Sequence, residues 1–323
     1  MNFLFLMDPL ESVHRLKDTT YAFMTGAARY GHTVHYLPLD GISLLDGRLH
    51  FDAEEVVPTP DGPELFERKG AAPMLDDAAD ALFIRTDPPF DETYLVHTWL
   101  LDHAPASLVI LNDPAGIRTV NEKIWALRFT HLVPPSLVTP SEERARAFIA
   151  EHGTVVAKPT GGHGGKGVFV IREGEPNANV ILETLMKKGR EAVIIQKYVP
   201  EAVAGDKRIL LLAGEPLGAV LRLHGEEDHR NNFFAGGTAH PAELTDLDRE
   251  IIDTLAPHLR ALGLAFVGID VIGETLIEVN VTSPTCLQEM NRLYTLQLED
   301  RVIEYVERKV QLKRGTQSPT HRT

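Results

Sequence analysis

The chain of 323 residues is long enough to form two or three domains, each with its own hydrophobic core. Its content of 43% hydrophobic and 24% charged residues is typical of a globular protein. The formal net charge of −14 argues against a surface that binds nucleic acid or an anionic membrane.

The cysteine content and the first residues predict a cytoplasmic protein. Cys286 is the only cysteine, so no disulfide can form within the chain. Residues 1–9 carry no basic region, and their apolar run is too short for a signal peptide. No apolar segment approaches the length of a membrane span, so we expect no membrane partner.

The chain opens with a strand, a helix and a second strand. Residues 3–7 predict a buried strand, and the next stretch predicts a helix that Asp18 caps and that ends near Tyr30. Residues 32–37 predict the second strand, whereas residues 40–75 are rich in turns and weakly periodic. This order predicts an N-terminal α/β domain.

Two further buried strands are predicted at residues 81–85 and 108–111. In a parallel sheet, ligands bind beyond the carboxyl ends of the strands. Asp8, Arg85 and Asp87 lie at such ends and are candidate ligand-binding residues.

The second half of the chain predicts alternating helices and strands. The predicted helices cover residues 121–127, 141–152, 244–262 and 296–312, and the predicted strands cover residues 154–158, 191–198 and 208–212. Pro257 predicts a kink or a break in its helix.

A glycine-rich loop follows the strand predicted at residues 154–158. Residues 158–167 are Lys-Pro-Thr-Gly-Gly-His-Gly-Gly-Lys-Gly. The Rossmann motif needs a helix after the loop, but residues 168–172 predict a strand. A Walker A loop needs Gly at the position of Thr160 and Ser or Thr at that of Gly167. We therefore predict a phosphate-binding loop between two strands, with a mobile surface hairpin as the alternative.

Charged residues near this loop are candidates for nucleotide binding. Lys123 and Lys158 offer two point charges for phosphates, although each alone would suit an exposed or partly buried lysine. Residues 196–199 end a strand and suit a linker that binds an adenine edge, with an ordinary strand end as the alternative. Arg208 could stabilise a transferred phosphoryl group or form a surface ion pair.

Acidic and amide residues interrupt two apolar strands around Gly273. Glu278 and Asn280 lie on one face of the second strand. A three-residue turn places Asp270 opposite Glu278, whereas a two-residue turn places it on the other face unless a bulge corrects the register. Two carboxylates and an amide oxygen on one face suit Mg²⁺. The alternative is a half-exposed hairpin.

A long polar loop, residues 225–237, contains Arg230 and several glycines. Loops of this length in a compact domain are usually functional or disordered.

Several motifs follow one another in a specific order. They are Asn-Glu-Lys at 121–123, Lys-Pro and the glycine loop at 158–167, Gln-x-Tyr at 196–198, Asp-Lys-Arg at 206–208, Arg-Asn-x-x-x-Ala-Gly-Gly at 230–237, and Glu-x-Asn-Val-Thr-Ser-Pro-Thr at 278–285. In this order they resemble the bacterial glutathione synthetases, which are ATP-grasp ligases. The resemblance also includes Asp87-Pro88-Pro89-Phe90-Asp91 and covers nearly the whole chain.

The resemblance implies an α/β fold with α+β character in its ATP-grasp part. It implies an N-terminal parallel-sheet domain at residues 1–118, followed by two ATP-grasp subdomains that hold ATP between them. The first would cover residues 119–195, the second residues 196–312, and residues 313–323 would form a polar tail.

The resemblance also implies the roles of individual residues. It implies ATP contacts from Lys123, Lys158, Gly161, Gly162, Gly164, Gly165, Lys166, Gln196, Lys197, Tyr198, Val199 and Asp206. It implies catalytic roles for Lys158, Arg208 and the lid residue Arg230. It implies substrate contacts from Asp8, Arg85, Asp87, Gly236, Gly237, Ser283 and Thr285. It implies ligation of Mg²⁺, with Mn²⁺ as a substitute, by Asp270, Glu278 and Asn280.

The reaction that the resemblance implies joins γ-glutamylcysteine and glycine with ATP. The cysteinyl carboxylate would be phosphorylated first, and the glycine amine would then displace phosphate from the acyl phosphate. Such chemistry needs charge neutralisation and alignment more than a protein nucleophile. A homo-oligomer is also implied.

Two departures from the family pattern concern the acceptor. Gly161 and Gly162 replace a usual Asp-Gly, and Arg222 is followed by Leu-His where the family has Arg-x-Pro. Two alternatives therefore stay open. One is an ATP-grasp ligase for a related dipeptide or another amine, and the other is a nucleotide-binding protein without ligase activity.

Overall fold

A computed structural model describes residues 1–162, 164–223 and 237–316. The first part of the chain forms nine strands and three α-helices. They are β1 (Asn2–Leu6), α1 (Thr19–Arg29), β2 (Thr33–Leu37), β3 (Ile42–Leu45), β4 (Arg48–Phe51), β5 (Glu54–Pro58), β6 (Phe66–Ala71), β7 (Met74–Leu75), β8 (Ala81–Ile84), α2 (Glu92–Leu101), β9 (Val109–Leu111) and α3 (Pro114–Thr119).

The main N-terminal sheet has the strand order β6-β5-β2-β1-β8-β9. β1 pairs in parallel with β2 and β8, and β8 pairs in parallel with β9. The predicted α/β domain with a parallel sheet is thus confirmed at the sheet centre, where the strands are buried on both faces. Helix α1 begins as predicted, because the Asp18 carboxylate accepts a hydrogen bond from the Tyr21 amide at 2.9 Å.

Residues 40–75 contain five strands that weak periodicity did not predict. β5 and β6 extend the main sheet in antiparallel fashion, and β3, β4 and β7 form a separate small sheet. β6 is mostly exposed, so it lacks the alternation of buried and exposed residues that identifies a strand in a sequence.

The rest of the chain forms nine strands and five α-helices among the described residues. They are β10 (Ser136–Thr139), α4 (Glu142–His152), β11 (Val155–Pro159), β12 (Phe169–Ile171), α5 (Ala178–Met186), β13 (Val193–Lys197), β14 (Asp206–Leu212), β15 (Glu215–Leu223), β16 (Thr238–Pro241), α6 (Asp246–Ala261), β17 (Phe266–Ile272), β18 (Thr275–Asn280), α7 (Leu287–Tyr294) and α8 (Leu298–Thr316). None of the described helices is both long and apolar enough to cross a membrane.

These strands form two antiparallel sheets, in the orders β10-β13-β11-β12 and β16-β15-β14-β17-β18. Helix α6 continues through Pro257, so of the two predicted effects of this proline the break does not occur. The predicted helix at residues 121–127 is instead a 3₁₀ turn at Trp125–Arg128. Further 3₁₀ turns are Leu10–Ser12, Asp76–Ala78 and Pro200–Ala204.

The hydrophobic core divides unequally between the sheets. The four-stranded sheet packs with α4 and α5 in a core of its own. The six-stranded and five-stranded sheets instead share two larger clusters, one of which includes α1, α7 and α8. The four-stranded unit therefore stands opposite a larger body, and a cleft lies between them.

Asn112 joins the N-terminal sheet to the five-stranded sheet. Its buried side-chain amide donates to the carbonyl oxygens of Phe266, at 2.7 Å, and Val281, at 2.9 Å. Its Oδ1 accepts from the Phe266 amide at 2.8 Å. Because all three partners are backbone groups, one side chain satisfies atoms that would otherwise be buried without a hydrogen bond.

We expect Asn112→Ala to lower the free energy of unfolding by about 3 kcal/mol, because it leaves buried backbone groups without partners. The measurement is the urea midpoint, with Asn177→Ala as the control. Asn177 is exposed and makes no side-chain capping bond although it precedes α5. Equal midpoints for the two variants would contradict the joining role of Asn112.

Candidate active site

A cavity of about 1200 Å³ lies between the four-stranded sheet, the five-stranded sheet and the N-terminal domain. It brings together most of the residues proposed from the sequence. The proposed nucleotide contacts on its wall are Lys123, Lys158, Gly162, Gly164, Gly165, Lys166, Gln196, Lys197, Tyr198, Val199 and Asp206. The proposed substrate, metal and catalytic residues on its wall are Asp8, Arg85, Asp87, Ser283, Thr285, Asp270, Glu278, Asn280 and Arg208.

Four proposed residues do not lie on the described wall. Gly161 and Gly237 are described but do not line the cavity. Arg230 and Gly236 lie outside the described residues. The proposed contacts of all four stay predictions.

Lys158 belongs to β11 and points into the cavity beside the neighbouring strand β13. Its ammonium donates to Gln196 Oε1 at 3.3 Å, and the Gln196 amide donates to Ser136 Oγ at 2.9 Å. Only 6% of Lys158 is exposed, and this burial lowers the pKa of its ammonium. In the part of the chain that the structure describes, Lys158 bonds to a neutral amide and to no carboxylate, and a buried cation in such surroundings is well suited to an anionic ligand.

Lys123 connects the glycine-rich loop to the β17–β18 hairpin. Its Nζ lies 2.7 Å from the carbonyl oxygen of Gly162 and 2.8 Å from Glu278 Oε1. Burial lowers the pKa of Lys123, but Glu278, together with Glu122 and Asp270, raises it by more, so the ammonium stays protonated more firmly than usual. The loop is thus held against the acidic side of the cavity.

The register of the β17–β18 hairpin places Asp270 opposite Glu278, as the predicted metal site requires. The turn has only two residues, Gly273 and Glu274, between the two strands. A bulge after Asp270 shifts the register, so that Asp270 still pairs with Glu278. Of the alternatives open from the sequence, the structure has the two-residue turn with a correcting bulge.

Asp270 lies in a network of buried charges on three adjacent strands. Arg208 Nη2 lies 2.8 Å from Asp270 Oδ2, and Arg222 Nη2 lies 3.0 Å from the same oxygen. Arg222 Nε also donates to Asp206 at 2.8 Å. Burial raises the pKa of Asp270, but the two arginines lower it by more, so the carboxyl stays ionised far below its usual range.

Arg222 was not among the residues proposed from the sequence. In the sequence it stood out only because Leu-His follows it where the family has Arg-x-Pro, and the structure places it in β15, directly opposite Asp206 of β14. That pairing depends on a register between strands, which the sequence did not predict.

Glu122 is a second residue that sequence reasoning did not assign. Its Oε1 accepts from the amide of Val281 at 2.8 Å, from the amide of Thr282 at 3.0 Å and from the Thr282 hydroxyl at 2.8 Å. Burial and, next, Glu278 raise the pKa of Glu122. The side chain positions the residues between β18 and Ser283, and its sequence signal is its place in the Asn-Glu-Lys motif at 121–123.

The oxygen donors of the hairpin fit a divalent cation. Asn280 Nδ2 lies 3.4 Å from Asp270 Oδ2, which places the amide beside the carboxylate. The described residues contain no group of three or more His, Cys, Asp or Glu side chains that could hold a metal. Two carboxylates and an amide fit Mg²⁺, which completes its shell with water and phosphate oxygens.

The N-terminal domain contributes the other end of the cavity. Asp8 Oδ2 accepts from the Asp87 amide at 2.8 Å, and Ser283 Oγ donates to the Arg85 carbonyl oxygen at 3.4 Å. Arg85 itself donates to the Thr20 hydroxyl at 3.0 Å. Burial lowers the pKa of Arg85, and desolvation raises the pKa of Asp87 although Asp87 is still exposed to solvent.

Two family models match the chain in tandem. The N-terminal domain of prokaryotic glutathione synthetase matches residues 1–118, and the ATP-grasp domain of prokaryotic glutathione synthetase matches residues 122–295.

Curated relatives match over almost the whole chain. Glutathione synthetase from Vibrio parahaemolyticus is 37% identical over 307 residues, which cover 94% of this chain and 97% of the relative. Glutathione synthetase from Nostoc sp. is 38% identical over 325 residues, which cover 97% of this chain and all (100%) of the relative. Glutathione synthetase from Thermosynechococcus vestitus is 39% identical, over 95% of this chain and 99% of the relative.

Solved structures of other ATP-grasp enzymes share the fold. D-cycloserine synthetase DcsG aligns with a TM-score of 0.64 at 16% identity, over 94% of this chain and 99% of that chain. The ATP-grasp ligase PsnB, complexed with a minimal precursor, aligns with a TM-score of 0.63 at 16% identity, over 94% and 97%. The predicted ATP-grasp architecture is confirmed, and by its family models and relatives the chain belongs to the prokaryotic glutathione synthetase family.

Proposed function

We propose that the chain joins γ-glutamylcysteine and glycine to form glutathione, while ATP becomes ADP and phosphate. The relatives that carry the name glutathione synthetase support this assignment. The observation that carries it is the meeting of three residue sets in one cavity. Phosphate-binding candidates, metal-binding candidates and residues of the N-terminal domain all line the same space.

The described residues suit a two-step acyl transfer. A carboxylate oxygen of the cysteinyl group attacks the γ-phosphorus of ATP, and ADP leaves. The glycine amine then attacks the acyl carbon, loses a proton, and expels phosphate. In this proposal Lys123 and Lys158 hold the phosphates, and Arg208 stabilises the negative charge that develops during transfer. Arg230, outside the described residues, would belong to a lid that excludes water.

Asp270, Glu278 and Asn280 would hold Mg²⁺, with Mn²⁺ as a substitute. The metal, when bound, would neutralise phosphate charge and align the transferred group. The residues' own contribution is to present oxygen donors on one face of the hairpin.

The organisation of the chain follows from the same assignment. The proposed boundaries are an N-terminal domain at residues 1–118, ATP-grasp subdomains at 119–195 and 196–312, and a tail from residue 313. The homo-oligomeric state and the cytoplasmic location stay predictions.

The first test is the release of ADP from ATP with Mg²⁺ and γ-glutamylcysteine, with and without glycine. We expect ADP formation that requires both substrates. ADP formation that depends on a different amine would keep the ligase chemistry and replace the acceptor. ATP binding without ADP formation for any acid and amine would favour a non-catalytic protein.

Glu278→Ala should lower kcat at least about a hundredfold, because metal and charge interactions in such sites are worth several kcal/mol. Steady-state ADP release measures the loss. Glu274→Ala is the matched control, since Glu274 lies on the turn of the same hairpin and is exposed. Turnover of Glu278→Ala at the level of the control would contradict the assignment.

Affinity for ATP should fall as pH rises, because burial lowers the pKa of Lys158 and the ammonium loses its proton earlier than an exposed lysine. Between about pH 7 and about pH 9.5 we expect the Kd of a non-hydrolysable ATP analogue to rise about threefold to tenfold. Calorimetry without the other substrates measures this dependence. Lys158→Arg stays protonated and should give a flatter profile, and a profile as steep as that of the wild type would contradict the role of Lys158.

A further inference from the structure

Glu289 is a buried carboxylate on the cavity wall that the proposed mechanism does not use. It lies in the first turn of α7 and is 6% exposed. Within residues 1–162, 164–223 and 237–316, its Oε2 is buried without a hydrogen-bond partner, and no other carboxylate oxygen there is buried and unpartnered. Among the described residues, the cation that contacts Glu289 is Arg292, whose Nη2 lies 3.7 Å from Oε1, beyond hydrogen-bond distance.

A buried carboxylate oxygen without a hydrogen-bond partner costs free energy unless a ligand donates a hydrogen bond to it. Burial raises the pKa of Glu289, which expresses the same cost of removing the carboxylate from water. Arg292 is directed elsewhere, since its Nη1 donates to the carbonyl oxygen of Leu16. Unsatisfied buried polar atoms are rare in folded proteins, and on the wall of a cavity a bound ligand can supply the partner.

A second unpartnered charge lies at the same end of the cavity. Among the residues that the structure describes, Arg85 Nη1 is buried and finds no hydrogen-bond partner, although the other guanidinium nitrogens bond to Thr20 and to the Pro284 carbonyl oxygen at 3.1 Å. The start of α1 contacts the surroundings of both charges, since Gln288, the neighbour of Glu289, donates to the Asp18 carbonyl oxygen and Arg85 donates to the Thr20 hydroxyl. Residues 18–20 therefore contact both the neighbour of Glu289 and Arg85.

Opposite unpaired charges on one wall match an α-amino acid zwitterion. We propose that Glu289 accepts a hydrogen bond from the α-ammonium of the γ-glutamyl group and selects for it, while Arg85 binds the adjacent α-carboxylate. This inference rests on the proposed function and identifies the residues that recognise its acid substrate. The cysteinyl carboxylate would then extend toward Asp270 and the phosphate-binding residues.

Lys17 also lies on the wall of the cavity. Its positive charge suits a substrate with two carboxylates and one ammonium. Glu289 supplies the single negative partner that the ammonium requires, and a charge-assisted hydrogen bond of this kind discriminates strongly against a ligand that lacks the donor.

Equilibrium binding tests the proposal without turnover. Calorimetry with Mg²⁺ and a non-hydrolysable ATP analogue compares γ-glutamylcysteine with glutarylcysteine, which has hydrogen in place of the α-ammonium. The wild type should bind γ-glutamylcysteine at least about tenfold more tightly. Glu289→Gln should reduce this preference to about twofold or less and leave the affinity for glutarylcysteine within about threefold of the wild type.

Glu299→Gln is the matched control. Glu299 is 5% exposed, lies on the neighbouring helix α8 outside the cavity, and has full partners in Arg29 and Asn291. It should keep the wild-type preference even if it lowers stability. A loss of preference in both glutamate variants would assign the effect to folding and overturn the proposal.

Two other outcomes would also overturn the proposal. One is a wild type that binds the two acids equally, or binds neither. The other is a Glu289→Gln variant that raises the KM for glycine instead, because the ammonium would then belong to the acceptor. The comparison of the two acids on the wild-type protein does not depend on whether any variant folds. The ADP-release assay tests the proposed function separately from this proposal.

Discussion

The buried ion pairs of Asp270 are the constraint on which the rest of the site depends. Arg208 and Arg222 contact this carboxylate from two neighbouring strands, and all three side chains are almost fully buried. Removing one member of a buried pair leaves an uncompensated charge and typically costs about 3–5 kcal/mol. The register of β15, β14 and β17 must therefore be kept, and with it the positions of Asp206 and Glu278.

The division of the hydrophobic core explains why polar contacts matter so much in the cavity. The four-stranded sheet has its own core, so it is joined to the rest of the protein partly through the cavity wall. Lys123 reaches the Gly162 carbonyl oxygen, and Asn121 donates to the Thr160 carbonyl oxygen at 3.1 Å. Units that meet through small polar interfaces can move relative to one another, which suits an enzyme that must admit its substrates and then exclude water.

Residues that were easy to identify from the sequence differ in kind from those that were missed. Lys158 ends a strand beside a glycine-rich loop, and Asp270, Glu278 and Asn280 interrupt apolar strands, so each breaks a local pattern. Glu289 breaks no pattern, because a glutamate in the first turn of a helix is ordinary. Its importance appears only when the burial of its oxygen and the absence of a partner are known.

The sequence by itself determined the order of motifs, the family resemblance and the central strands of the N-terminal sheet, because these depend on residues close together in the chain. It left the hairpin register open between two turns, since an extra residue in a bulge cannot be read from alternation alone. Only the tertiary structure decided that Arg222 pairs with Asp206 and that Glu122 holds the Val281 amide, across 16 and 159 positions of the chain. Such pairs are set by how sheets align and pack, and that alignment is a property of the whole fold.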